Sequence, residues 1–322
     1  MPNLKVVPKK IVTIGGGTGQ FTLLRALVGI DDIEIVSVVS MADSGGSTGV
    51  LRDQYGVLPA GDVLKCLLAL SPYKDARNLL QTRLKGHPSF QGHNAGNLLL
   101  TFLTRHANGD FPAAIEAMSE ILNVQGIVLP VTTDKTTLVA KLSTGEHLFG
   151  EAAIDTPRGD RSGHIEDVYI VPHHGKLEVH PAVVDAIESA DVIIIGPGDL
   201  FTSIVPNLLI PEVPQAIQKN IRAALIYVAN LMTKHGETHG FKIENFVKVV
   251  EEHVGRPLAR VIVNTKQMSD EVKANYDAQS AFLVNSPEDL GDKFVGAELL
   301  AEEGKVARHN SEALQSLIET LI

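Results

Sequence analysis

Unbroken runs of apolar residues alternate along this chain with stretches in which apolar positions recur every three or four residues. The runs suit strands buried on both faces, and the spaced positions suit helices that cover them. Ile11 to Ile14 predicts a buried strand, Gln20 to Val28 a helix, and Glu34 to Ser40, rich in β-branched residues, a second strand. Residues 62–107 predict helical pieces broken at Pro72, Gly86 and Pro88, followed by a helix from Phe111 to Asn123. The texture changes from Gly126 to Val179, where apolar and polar residues alternate between turn signals at Thr144-Gly145, Pro157-Arg158-Gly159-Asp160 and His173-His174-Gly175. Short strands and hairpins are expected there. Strands at Val192 to Ile195, Ala224 to Ala229 and Arg260 to Val263 then alternate with helices near Pro211 to Lys219, Ile243 to Glu252 and Ser311 to Ile322. This order predicts an α/β fold, a three-layer, Rossmann-like, mostly parallel sheet, in a single domain over residues 1–322 with a small β-rich insertion at about 126–180. No Pro- or Ser-rich linker and no repeat divides it.

Composition narrows the partners. With 38 Asp and Glu against 28 Lys and Arg, the formal charge of -10 disfavours attraction to nucleic acid or an anionic membrane surface. Cys66, the one cysteine, sits in the apolar run Val63 to Leu70, which suits a buried small hydrophobe and leaves no intrachain disulfide. Met1 to Lys10 lacks a signal-peptide apolar segment, and no run reaches the length of a membrane span. A cytoplasmic protein that binds neither nucleic acid nor spans a membrane is expected.

The chemistry gathers at four glycine-bearing loops: Gly15-Gly16-Gly17-Thr18-Gly19, Asp43-Ser44-Gly45-Gly46-Ser47-Thr48-Gly49, Gly92-His93-Asn94-Ala95-Gly96-Asn97 and Gly196-Pro197-Gly198-Asp199. Each adjoins an apolar run, so each can present bare backbone N–H groups at a strand end or helix N-terminus, where negative charge is favoured. The first loop lacks the lysine of a P-loop, because Phe21 stands in its place. It matches the dinucleotide fingerprint only in part, because Gln20 replaces the third glycine. The hydroxyl- and amide-rich loop after Asp43 argues against a plain nicotinamide dehydrogenase, and neither nicotinamide nor flavin is expected as a prosthetic group. Asp43 and Asp62 lie beside these loops, and two carboxylates near phosphate oxygens are a usual way to hold Mg²⁺. Asp62 alone would suit a helix N-cap equally.

These loops, together with Gly61-Asp62, Leu200-Phe201-Thr202-Ser203 and Asn230-Leu231-Met232-Thr233-Lys234-His235-Gly236-Glu237-Thr238, resemble in order the CofD/YvcK-like family over nearly the whole chain. One branch of that family is the 2-phospho-L-lactate transferase of deazaflavin coenzyme biosynthesis. The other is the gluconeogenesis-factor branch, which binds UDP-sugars and supports growth and cell-wall morphogenesis on gluconeogenic carbon. The loops at residues 43–49 and 230–238 resemble the second branch more closely, and no phospholactate transfer is expected. The resemblance implies nucleotide or phosphate contacts at Gly16, Gly17, Thr18, Gly19, His93, Asn94, Asn97 and Asn230, and a Mg²⁺ site at Asp43 and Asp62; Ser44, Gly45, Gly46, Gly198 and Thr233 in the same motifs are expected as further contacts. Uridine is implied near Tyr276 and Arg308, a ring to stack on a base and a guanidinium to bind acceptor oxygens. His93 suits either a phosphate or an ordinary loop hydrogen bond. Val50, Asp199 and His239 depart from the branch's usual arginine, serine and aspartate. His235 and His239 are four apart, but Gly236 and Gly240 argue for a loop and against a helical metal pair. The expected partner is a nucleotide-sugar or another phosphorylated small molecule, bound by a homodimer.

Overall fold

The computed structural model describes residues 7–86, 92–155, 163–287 and 291–322. Strands β1 (Lys9–Gly15), β2 (Ile33–Val39) and β3 (Ile127–Pro130) pair in parallel, with Ile11 opposite Ile35 and Val36 opposite Ile127. The chain then builds an antiparallel sheet from β4 (Thr136–Leu142), β5 (His147–Phe149) and β6 (Ile165–Pro172), in the order β5-β4-β6. It returns to the main sheet at β7 (Val192–Ile195), laid parallel to β1 on the side away from β2. From there β8 (Ala224–Val228), β9 (Arg260–Asn264) and β10 (Phe294–Ala297) extend the other half, making seven parallel strands in the order β10-β9-β8-β7-β1-β2-β3. A last hairpin, β11 (Leu300–Glu303) and β12 (Val306–His309), precedes the C-terminal helix Ser311–Leu321.

The continuous apolar runs explain the parallel sheet. Ile11, Val12, Ile14, Ile193, Ile194, Ile195, Val261 and Ile262 are fully buried, because helices cover both faces and every second side chain finds cover whichever way it points. Each such burial is worth about 1.5–3 kcal/mol against leaving the side chain in water. In β4 the core-facing pattern is period two instead, with Leu138, Ala140 and Leu142, and a register shift opposite β6 lets both Ile165 and Val168 join the same apolar core as the main strands. Cys66 lies inside this core, fully buried, and burial pushes its thiol up to about 12.

Three expectations change in the structure. Ile127–Pro130 does not begin the insertion: it is the edge strand of the main sheet, so the antiparallel unit starts at Thr136, and a helix at Pro181–Glu188 follows it. The segment after Asp43 is not a loop throughout, because Gly46–Tyr55 is helical. Leu51 inserts into the core and Gly49 packs on the Ser44 carbonyl, where a side chain would not fit, so tertiary contacts overcome the low helix propensity of the glycines. Residues 200–208 form a helix whose first turn is wound to i→i+5 bonds, with Ile204 N donating to Asp199 O, and no periodicity announced it. The turn at Thr144-Gly145 closes the β4–β5 hairpin, with Leu142 N donating to Glu146 O at 2.8 Å. Pro88 and the turn Pro157 to Asp160 lie outside the described residues. Among the described residues no helix is long and apolar enough to cross a membrane.

Candidate functional site

Strand order reverses between β1 and β7, since the chain first grows the sheet to one side of β1 and later to the other. In open parallel sheets the crevice at the carboxyl ends of two such strands is where ligands settle. Here those ends are the first and fourth glycine loops. Gly17, the first residue of helix Gly17–Leu27, takes a left-handed φ of 69° and turns its N–H onto Asp62 Oδ2 at 2.8 Å. Gly19 lies against the Pro197 carbonyl, where a Cβ would overlap the backbone. The two loops therefore touch because both lack side chains.

The crevice opens into a cleft of about 560 Å³. Gly16, Gly17, Thr18, Gly19, Gly198, Asn230 and Thr233 all line it. Asn230 is pinned at both ends of its amide: Nδ2 donates to Gly198 O at 2.7 Å, and Oδ1 accepts from Tyr227 Oη at 3.2 Å. Thr233 is held by Phe282, whose carbonyl accepts from its N–H and whose N–H donates to Oγ1. Tyr276 and Arg308, thirty-two positions apart in sequence, both reach the cleft. The Tyr276 hydroxyl accepts from Ala307 N at 3.0 Å, which ties the helix Asp270–Asp277 to the last hairpin. Beside Arg308, burial pulls His309 down to about 4, so the ring is neutral against the Ala229 carbonyl.

A second, smaller recess of about 220 Å³ adjoins the first glycine loop and is lined by Asp43, Asp62, Lys65, Glu151, Asp155 and Asp199. Asp43 Oδ1 accepts from Gly45 N at 2.9 Å, and its other oxygen lies over Gly61. Asp62 accepts from Gly17 N and, through Oδ1, from Lys65 Nζ at 2.9 Å. Burial, and then the Asp62 charge, raises Asp43 above the usual carboxylate range. Burial together with Asp43 and Asp155 raises Glu151 to about 7. Lys234 stands at the junction of cleft and recess, paired with Asp155, with Asp199 at 2.8 Å and with Glu237 at 3.2 Å. Burial alone would lower the Lys234 ammonium, but Glu237 and Asp199 outweigh it and hold it above the usual lysine range. Glu237 is fully buried, and desolvation and Asp199 raise it to about 8 despite the lysine; its Oε2 has no hydrogen-bond partner.

Six of the expected contact residues take no place in the lining of either space: Ser44, Gly45, Gly46, His93, Asn94 and Asn97. Asn94 caps its own helix, with Oδ1 accepting from Asn97 N at 2.7 Å, so that helical N–H is already satisfied. His93 Nδ1 and Asn97 Nδ2 meet at the Ser47 hydroxyl, at 2.8 and 3.3 Å, in a buried knot between helices Gly46–Tyr55 and Ala95–His106. Ser44 is tied instead to the insertion, through Ala152 N to its hydroxyl and its own N–H to Glu151. Val50 is part-exposed on its helix, and the His235 and His239 rings meet edge-on in a turn, not on a helix.

Glu151, Asp155, Lys234 and Glu237 were not among the residues singled out from sequence. Lys234 and Glu237 stand three apart in the 230–238 motif, and Glu151 and Asp155 four apart in the insertion. Neither spacing by itself tells that the two pairs meet, through Lys234 and Asp155. A cavity of about 630 Å³ between Tyr55–Leu58 and Asn108–Phe111 shares no residue with the glycine loops.

The sequence model of the family described as 2-phospho-L-lactate transferase CofD matches residues 11–300. The gluconeogenesis factor of Bacillus subtilis is 35% identical over 319 residues, covering 97% of this chain and 98% of its own. That of Listeria monocytogenes is 35% identical over 322 residues, covering 99% and 97%. The crystal structure of a member of the UPF0052 family from Bacillus halodurans superposes with a TM-score of 0.88 at 34% identity, covering 96% of this chain and 99% of that one.

Proposed function

The chain belongs to the CofD family, and we propose that within it the protein is a nucleotide-sugar-binding regulator of the gluconeogenesis-factor type. It would support growth and cell-wall morphogenesis on gluconeogenic carbon. The observation that carries this reading is the cleft itself, whose lining combines bare glycine backbone at the strand crossover with Tyr276 and Arg308. Backbone N–H groups past Gly17 at the start of helix Gly17–Leu27, Gly17 N itself being bonded to Asp62, suit a diphosphate, the ring suits a base, and the guanidinium suits its acceptor oxygens. A UDP-sugar needs all three. Calorimetry with UDP-N-acetylglucosamine and GDP tests the reading. Tighter binding of the UDP-sugar is expected, with a loss on the order of 1 kcal/mol or more in Tyr276→Ala and in Arg308→Ala. Equal affinity of both variants and the parent would remove the uridine assignment.

A second reading, a Mg²⁺-dependent transfer of phospholactate, draws on the acid recess. Its five acids offer carboxylate oxygens, the donors that Mg²⁺ prefers; Asp62 bonds the first glycine loop through Gly17 N, and Asp43 lies over Gly61 next to Asp62. When bound there, the ion would neutralise charge on a ligand's phosphate oxygens. Lys65 already neutralises part of Asp62. GMP release from guanylyl-activated phospholactate and the deazaflavin, lost in Asp43→Asn, would establish this reading over the first.

A further inference from the structure

On the outer side of helix Gly17–Leu27 lies a groove of about 640 Å³ into which four cations converge from four separate elements. Arg25 comes from that helix, Lys74 from the turn after helix Gly61–Leu70, Arg77 from helix Ala76–Gln81 and Arg308 from β12. Glu303 is the one carboxylate among the lining residues. In a chain of formal charge -10, this is a local reversal of sign.

Two of these side chains are held in place. The Arg77 guanidinium sits 4.2 Å over the Phe21 ring, and its Nε donates to Gln81 Oε1. Arg25 Nη1 donates to the Ala69 carbonyl. Among the described residues none of the four forms an ion pair, although eleven ion pairs form elsewhere. Convergent like charges without counter-charge repel one another, and an anion between them removes that cost. Thr18, Thr22, Arg308 and His309 border both this groove and the glycine cleft.

We propose that the groove is a second anion site, for a small phosphorylated molecule distinct from the occupant of the cleft, and that Arg308 is shared between the two. Two anions drawing on one guanidinium, and repelling each other, weaken each other's binding by the same factor. The site gives a regulator an input other than its nucleotide.

Pyrophosphate is the probe, titrated by calorimetry into the full chain and into Lys74→Ala/Arg77→Ala, two exposed positions outside the cleft. Loss of two charge-assisted contacts should weaken pyrophosphate about tenfold or more. Undiminished affinity in the double variant would place pyrophosphate on the glycine loops alone and overturn the proposal. Pyrophosphate should also weaken UDP-N-acetylglucosamine several-fold in the parent and not in the double variant; independence of the two ligands in the parent would refute the sharing of Arg308. The first titration uses no nucleotide, so it stands if the UDP-sugar reading fails.

Discussion

The glycine cleft and the acid recess share a wall, yet they meet the problem of holding a phosphorylated ligand in opposite ways. The cleft offers backbone N–H groups, amides and a ring, and its cations stand at the edges. The recess, with Glu237 behind it, packs carboxylates so tightly that burial and mutual repulsion raise Asp43, Glu151 and Glu237, with two lysines as partial counter-charge. Backbone donors accept an anion with little dependence on pH, whereas a cluster of acids changes its net charge near neutrality. Lys234 borders the cleft and is bonded within the acid cluster, so it is where one region senses the other.

The strongest blow to this arrangement is Lys234→Met. It leaves Asp155, Asp199 and Glu237 without their common cation, and a loss of about 3 kcal/mol in unfolding free energy is expected, the low end for a broken buried pair because Lys234 is partly exposed. Adding Glu237→Gln should return part of that loss in denaturant melts. A change within experimental error would mean that the lysine contributes no more than a surface ion pair.

Next in size is Gly19→Ala on the cleft side. The new Cβ must push the Pro197 carbonyl away, costing about 1–3 kcal/mol and separating the two loops, so the cleft ligand should be lost with it. Retained binding with unchanged stability would show that the loops need not touch.

Acidity probes the contrast more gently. Glu151 and Glu237 stay protonated in the fold up to about 7 and about 8 but ionise near the ordinary 4.5 when unfolded. The folded state therefore holds more protons between those values. The stability these groups contribute is full below the unfolded pKa and declines as pH rises through the folded ones. The same ionisation adds negative charge beside the cleft, so affinity for an anionic nucleotide should fall a few-fold between pH 6 and 8.5. Mg²⁺ in the recess would blunt that fall. A flat profile without metal would separate the two regions electrostatically.

The smallest effect on binding is expected from His93→Ala. It breaks the knot with Ser47 and Asn97 and should lower the melting temperature, while nucleotide affinity changes by no more than about twofold. A large loss of affinity with little loss of stability would bring His93 back to the phosphate.

Much of the main sheet could be read from residue order. Val192 to Ile195 is apolar without interruption, and Ile11 to Ile14 is broken only by Thr13, whose hydroxyl accepts from Gln20, because both faces are covered; that pattern survives in any α/β context. The β3 edge strand is not legible as part of the main sheet, because a four-residue apolar run carries no mark of which sheet it will join. Helix Gly46–Tyr55 was missed because its glycines predict a loop and only the burial of Leu51 and the seat of Gly49 on Ser44 favour the helix.

For the site, sequence alone determined the glycine loops, since a backbone that must turn to φ 69° at Gly17 excludes side chains locally, whereas the seat of Gly19 on the Pro197 carbonyl is set when the two loops meet. Resemblance added Tyr276 and Arg308, which the cleft then brought together. Tertiary structure alone decided the recess. Glu151 and Asp155 come from the antiparallel insertion, Asp199 from the end of β7, and Lys234 and Glu237 from the turn after β8. Charges carry no periodicity that marks a partner, and their pairing depends on distances set only when separate elements dock.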